Sequence, residues 1–158
     1  MSSESVYLVL NYVSSKEDYF PRNKPEHFHL KLGKPLLLTQ GRWKVGLCEI
    51  AFENVTVAEG QPTPTHYQVD FGYCEGLHIH GKPTNCLRWL PYTNTGHEIF
   101  TSPFYVPVHS VYIDTCEMRI SPLVATAAAA GEGSFENPLQ IKQLETTCIT
   151  CTLHFKKG

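Results

Sequence analysis

Four of the eight histidines fall in two H-x-H pairs, His27-Phe-His29 and His78-Ile-His80. On a β-strand that spacing turns both imidazoles to one face, the usual start of a strand-borne metal site. Sandwich enzymes built on such a pair add a glutamate about four residues on and a distant histidine. Here His80 is followed by Gly-Lys-Pro-Thr, and the next carboxylate is Glu98. Both pairs also occupy the polar parity of half-buried strands. The expectation is therefore solvated surface histidines and no bound metal.

The other candidates are weaker. Cys148-Ile-Thr-Cys151 has C-x-x-C spacing, but no second pair completes a zinc set. A redox role needs the first thiol at a helix N-terminus. The run around it, Thr146-Thr-Cys-Ile-Thr-Cys-Thr-Leu, is β-branched, so positions three apart point to opposite faces. Structural thiols are expected. The carboxylates Glu49, Glu53, Asp70, Glu75, Glu98, Asp114 and Glu117 are scattered, and none is paired by a setting visible in sequence. No nucleophile elbow, phosphate loop or dinucleotide-binding glycine pattern occurs. The expectation is a protein without catalytic residues or cofactor.

The elements that must carry these residues are strands. Val6, Leu8, Leu10 and Tyr12 share one parity while Tyr7 and Val9 fill the other, the pattern of a strand covered on both faces near the centre of a sheet. Alternation of apolar and polar residues predicts strands over 28–32, 43–50, 67–73 and 77–80. Further strands are expected at 86–90, 99–106, 111–120 and 148–155. Eleven glycines and eleven prolines punctuate the chain and leave little room for a long helix. Residues 1–158 are expected to form a single all-β domain, an antiparallel jelly-roll sandwich of about eight strands. The alanine-rich run from Val124 into Gly131-Glu-Gly-Ser134 is too short to hold a helix unaided, so 124–138 is read as a flexible loop.

Composition narrows the function classes. The formal net charge is −2, and no basic run points to nucleic acid. Met1-Ser-Ser-Glu-Ser lacks a basic n-region, and no stretch approaches a membrane span. Synthesis in the cytosol or nucleus without secretion is expected, with the six cysteines as thiols and Asn54 unglycosylated.

Two stretches carry a resemblance. The first runs Tyr7-Leu-Val-Leu, Tyr19-Phe-Pro-Arg-Asn23, Phe28-His-Leu-Lys-Leu32, Pro35-Leu-Leu-Leu and Gly41-Arg-Trp-Lys-Val-Gly-Leu-Cys-Glu-Ile50. The second runs Phe104-Tyr-Val-Pro-Val, Val111-Tyr-Ile-Asp and Cys151-Thr-Leu-His-Phe-Lys156. Together they resemble the opening and ending of small capsid proteins of Polinton (Maverick) elements and of adintovirus- or adomavirus-like DNA viruses. Members of that family are longer in the middle. Lys44 stands where an acidic residue is usual, and Ala51-Phe-Glu-Asn54 replaces an aromatic, histidine-containing segment.

The resemblance implies a virion protein, the single-jelly-roll vertex (penton) component. Its partners would be copies of itself in a homopentamer and the larger double-jelly-roll major capsid protein. The matched residues Tyr19, Phe20, Pro21, Trp43, Gly46, Leu47, Glu49, Leu153 and Phe155 would be scaffold positions. The residues alone say as much: Trp43 suits a core or interface anchor, and Gly46 inside a strand suggests a bulge or a close backbone approach. A ligand- or glycan-binding sandwich is the alternative, marked by an aromatic-lined concavity. A cupin-like metal enzyme is a third reading, and retained Zn, Fe or Mn would identify it.

Overall fold

A computed structural model of the chain describes residues 4–12, 20, 22–24, 27–53, 55–57, 59–60, 63–79, 81–93, 95–123, 144–145 and 148–158. The predicted loop at 124–138 lies outside these residues, as do Tyr19, Pro21 and His80. Among the described residues the architecture is all-β, two antiparallel sheets facing each other. No helix there is long and apolar enough to cross a membrane.

The strands are β1 (Ser5–Asn11), β2 (His27–Leu37), β3 (Trp43–Glu53), β4 (Thr56–Val57), β5 (His66–Phe71) and β6 (Cys86–Pro91), then β7 (Gly96–Ile99), β8 (Val106–Pro107), β9 (Tyr112–Leu123), β10 (Leu144–Glu145) and β11 (Cys148–Lys157). One sheet has the order β1-β11-β3-β7, with β8 also pairing β3; the other has the order β2-β9-β5-β6. A short ribbon pairs β10 with β4.

The inner faces follow from side-chain alternation. In β11, Ile149, Cys151, Leu153 and Phe155 are buried, one parity without a break. In β5, Tyr67, Val69 and Phe71 are buried between half-buried His66, Gln68 and Asp70. Aromatic pairs close the sandwich: Phe71 meets Phe155 edge-on with centroids 5.9 Å apart, and Phe52 meets Tyr67 at 5.4 Å. The pairing of β3 with β11 slips between Thr152 and Leu153, so Cys48 has no opposite residue. That bulge switches the buried parity of β3 from Trp43, Val45 and Leu47 to Ile50 and Phe52.

Several expectations need correction. The first strand is not central: among the described residues β1 pairs only with β11. Its second apolar row is uncovered, with Tyr7 64% and Val9 61% exposed. Within the predicted 77–80 strand, the described residues Leu77, His78 and Ile79 do not form a strand. Ile79 makes only an isolated bridge to Lys82, because the loop closes on itself rather than along a neighbouring strand. The strand expected over 99–106 is two short pieces, β7 and β8, separated by an irregular stretch that crosses Gly46. The 67–73 strand ends at Phe71, where Gly72 and Tyr73 turn.

Burial governs the cysteines. The thiols of Cys74, Cys86, Cys116 and Cys151 are free, and burial pushes each up to about 12, helped by the Asp70 charge near Cys74 and Cys86. Thiolate is the reactive form. In the folded protein, iodoacetamide at neutral pH should therefore leave these four unmodified, and mild denaturant should expose them together. Peptide mass spectrometry after a timed pulse checks this; rapid labelling of Cys151 in the folded chain would contradict it.

Candidate functional site

The β2–β9 register builds the densest group of potential ligands. His29 lies directly opposite Glu117, and His27 lies diagonal to it, opposite Arg119. Both histidines occupy the outer face of the four-stranded sheet because Phe28 between them is buried. His27 Nε2 donates to Glu117 Oε1 at 2.6 Å, and His29 Nε2 lies 3.9 Å from the same oxygen. All three side chains are half-buried, and their ligating atoms lie within 4.8 Å of one another.

The neighbourhood holds the histidines in place. Buried Asn23 grips His29 through its backbone: Asn23 Nδ2 donates to the His29 carbonyl at 2.6 Å, and the His29 amide donates to Asn23 Oδ1 at 3.0 Å. The Phe20 ring packs 5.8 Å from the His29 ring. On its other side Glu117 borders a hollow of about 190 Å³, shared with Asp70 and Arg119. Burial raises the Asp70 pKa above the ordinary carboxylate value, against a hydrogen bond from Gln68 and the nearby Arg119 charge.

The second sequence pair is not assembled. His78 is exposed in a loop outside any strand, and His80 falls outside the described residues. In the C-x-x-C segment, Cys151 is fully buried in the core, while the Cys148 side chain lies outside the described set. Glu117 is the residue that sequence reasoning passed over. It is 90 positions from His27, and only strand pairing brings the two together.

A second polar group decorates the five-stranded sheet. The His154 ring stacks on Tyr7 at 4.2 Å between centroids, and the Tyr105 hydroxyl hydrogen-bonds to His154 Nδ1 at 2.8 Å. Among the described residues, His154 Nε2 is buried without a hydrogen-bond partner. Desolvation, and then the charge of Lys156, lower the His154 pKa below its ordinary value of 6.5. The folded state thus favours neutral imidazole, and its contribution is complete above pH 6.5. It declines as the pH falls from there through the depressed folded value. Chemical denaturation across that range should show a shallower acid loss for His154→Gln than for the parent. Parallel curves for the two proteins would contradict this.

The matched scaffold residues map to packing. Trp43, Leu47, Leu153 and Phe155 are buried in the one core cluster. The backbone crossing at Gly46 makes a side chain a tight fit: a Cβ there would lie 3.0 Å from the Phe104 carbonyl and 3.1 Å from Pro103 Cβ. Glu49 accepts a hydrogen bond from Thr152 and pairs with His97 across strands. Phe20 is half-buried against His29. Arg88 lays its guanidinium 3.8 Å over the Phe100 ring and 4.7 Å from that of Phe104, tying β6 to the segment that crosses Gly46. No protein-family model matches the chain, and no curated protein matches it.

Proposed function

We propose that this chain is a structural capsid protein without catalytic turnover, a single jelly roll that closes five-fold rings at the vertex of a DNA-virus or virus-like shell. The observation that carries the reading is the order of strand pairing. With β7 and β8 taken as one position, the sandwich strands pair from the outside in: β1 with β11, β2 with β9, β3 with β7 and β8, and β5 with β6. That order is the one that rolling an antiparallel ribbon into an eight-stranded jelly roll would produce. Fold alone does not assign function. The end motifs that resemble Polinton and adintovirus-like capsid proteins supply the second support.

Exposed apolar residues supply the third. A closed ring needs two different, complementary patches on each chain. Tyr7 and Val9 form one on the β1 edge, and Leu37, Val111 and Tyr112 form another where β2 and β9 pair. Such a ring rests on apolar packing more than on charge, so moderate salt leaves it intact. The double-jelly-roll major capsid protein would surround it in the virion.

The alternative of a glycan-binding sandwich lacks a comparable observation. Among the described residues, the hollow beside Glu117 and a larger one near His78 and His109 have no Tyr, Phe or Trp in their walls. Light scattering and negative-stain images of the full chain test the proposal. A pentameric mass with ring-shaped particles is expected, and Val9→Glu and Leu37→Glu should each release folded monomers. A monomer at the highest soluble concentration would overturn it.

A further inference from the structure

We propose that His27, His29 and Glu117 form a binding site for one divalent transition-metal ion of the zinc class, which fastens β2 to β9. The inference stands apart from the capsid reading, since it rests on ligand geometry alone. Two imidazoles and a carboxylate are a borderline-soft donor set that suits Zn²⁺ over Mg²⁺ or Ca²⁺. Zinc bonds to nitrogen and oxygen at about 2.0–2.2 Å, so tetrahedral ligands stand roughly 3.3 Å apart. The two contacts to Glu117 Oε1, 2.6 Å and 3.9 Å, bracket that spacing. The rings need only rotate, because the backbone beneath them is held by the β2–β9 ladder and by Asn23.

The surroundings fit a cation. Arg119 stands opposite His27, and Asp70 directly across the β5–β9 pair sets a carboxylate beside it. Three protein ligands leave a fourth position open, and the partial exposure of all three side chains gives water or a neighbouring chain access to it. Binding takes the place of the hydrogen bond between His27 and Glu117. The β2–β9 pairing is interrupted between Lys31 and Leu36, and the ion would reinforce the segment on one side of that break.

The test uses the full chain, stripped with a chelator and titrated with ZnCl₂ against a chromogenic zinc indicator. One Zn²⁺ per chain is expected. His29→Ala and Glu117→Gln should each weaken binding at least about tenfold, since even partners that only orient a ligand matter to that degree. His66→Gln, on the same face but outside the trio, should bind as the parent does. Long-range ¹H–¹⁵N spectra of the unmutated chain give a readout that does not depend on variant folding: zinc should shift the ring signals of both His27 and His29 and leave His97 in place. The proposal fails if the indicator keeps the zinc at equimolar protein. It fails equally if Glu117→Gln binds like the parent, or if the zinc-dependent shifts fall on His97 instead.

Discussion

Phe155→Ala should lose about 4 kcal/mol of folding stability, the middle of the usual range for emptying a buried aromatic site. Phe155 is fully buried on β11, the strand between β1 and β3, and its ring meets Phe71 of the opposite sheet. The substitution removes apolar area and leaves a cavity at the contact that joins the sheets. Strands on both sides are fixed by long ladders and cannot collapse into it. A domain of this size has about 5–15 kcal/mol in total, so such a loss is a large share of the whole. Urea unfolding of parent and variant measures it. Phe155→Leu, which refills most of the volume, should recover more than half. A loss below about 1 kcal/mol for the alanine variant would mean the two sheets do not depend on this contact.

Fold class was readable because each strand states its own inner face. Ile149, Cys151, Leu153 and Phe155 keep one parity through β11, and Tyr67, Val69 and Phe71 do the same in β5. β3 shows where such reading stops. Its first half alternates as expected, but the bulge at Cys48 is invisible in the string Leu47-Cys-Glu-Ile50, and it moves the inner row to even positions. The two apolar rows of β1 misled in another way. A strand covered on both faces and an edge strand with an exposed apolar row have the same sequence pattern. Only the pairing partners separate them.

The histidine site shows the same limit more sharply. The H-x-H spacing marked His27 and His29 as sharing a face, which local alternation guarantees. Their third partner is set by register between strands far apart in sequence, and no local pattern encodes it. A search for a carboxylate a few residues along the same strand looks in the wrong direction, since the ladder brings Glu117 in from the side. Around the second pair, the alternation at 77–80 predicts a strand, yet among the described residues no neighbouring strand takes up its backbone beyond the isolated Ile79–Lys82 bridge. The loop there is organised instead by the Thr84 hydroxyl, which donates to the Leu77 carbonyl and accepts from the Cys86 amide.

That loop yields the second large effect. Gly76→Ala should destabilise the protein by about 3 kcal/mol, the upper end of the usual penalty for forcing atoms into a packed site. A Cβ at Gly76 would fall inside contact distance of the Cys86 backbone nitrogen and oxygen. Those atoms cannot withdraw cheaply. Cys86 begins β6 and is fully buried, and its carbonyl accepts from the Leu77 amide at 2.9 Å. The Gly76 amide itself donates to the Thr84 carbonyl at 2.7 Å, so relieving the clash would pull apart these two backbone hydrogen bonds of the loop. Two other glycines separate this cause from a general effect of alanine. Gly33 has open space around its missing side chain, and Gly33→Ala should change stability by less than about 0.5 kcal/mol. Gly60 is also uncrowded but has φ +82°, so Gly60→Ala should lose about 1 kcal/mol through backbone strain alone. Thermal or urea unfolding should rank the three variants Gly76, Gly60, Gly33 from most to least damaging. If Gly76→Ala unfolds like Gly33→Ala, the loop does not press against β6 as the structure describes.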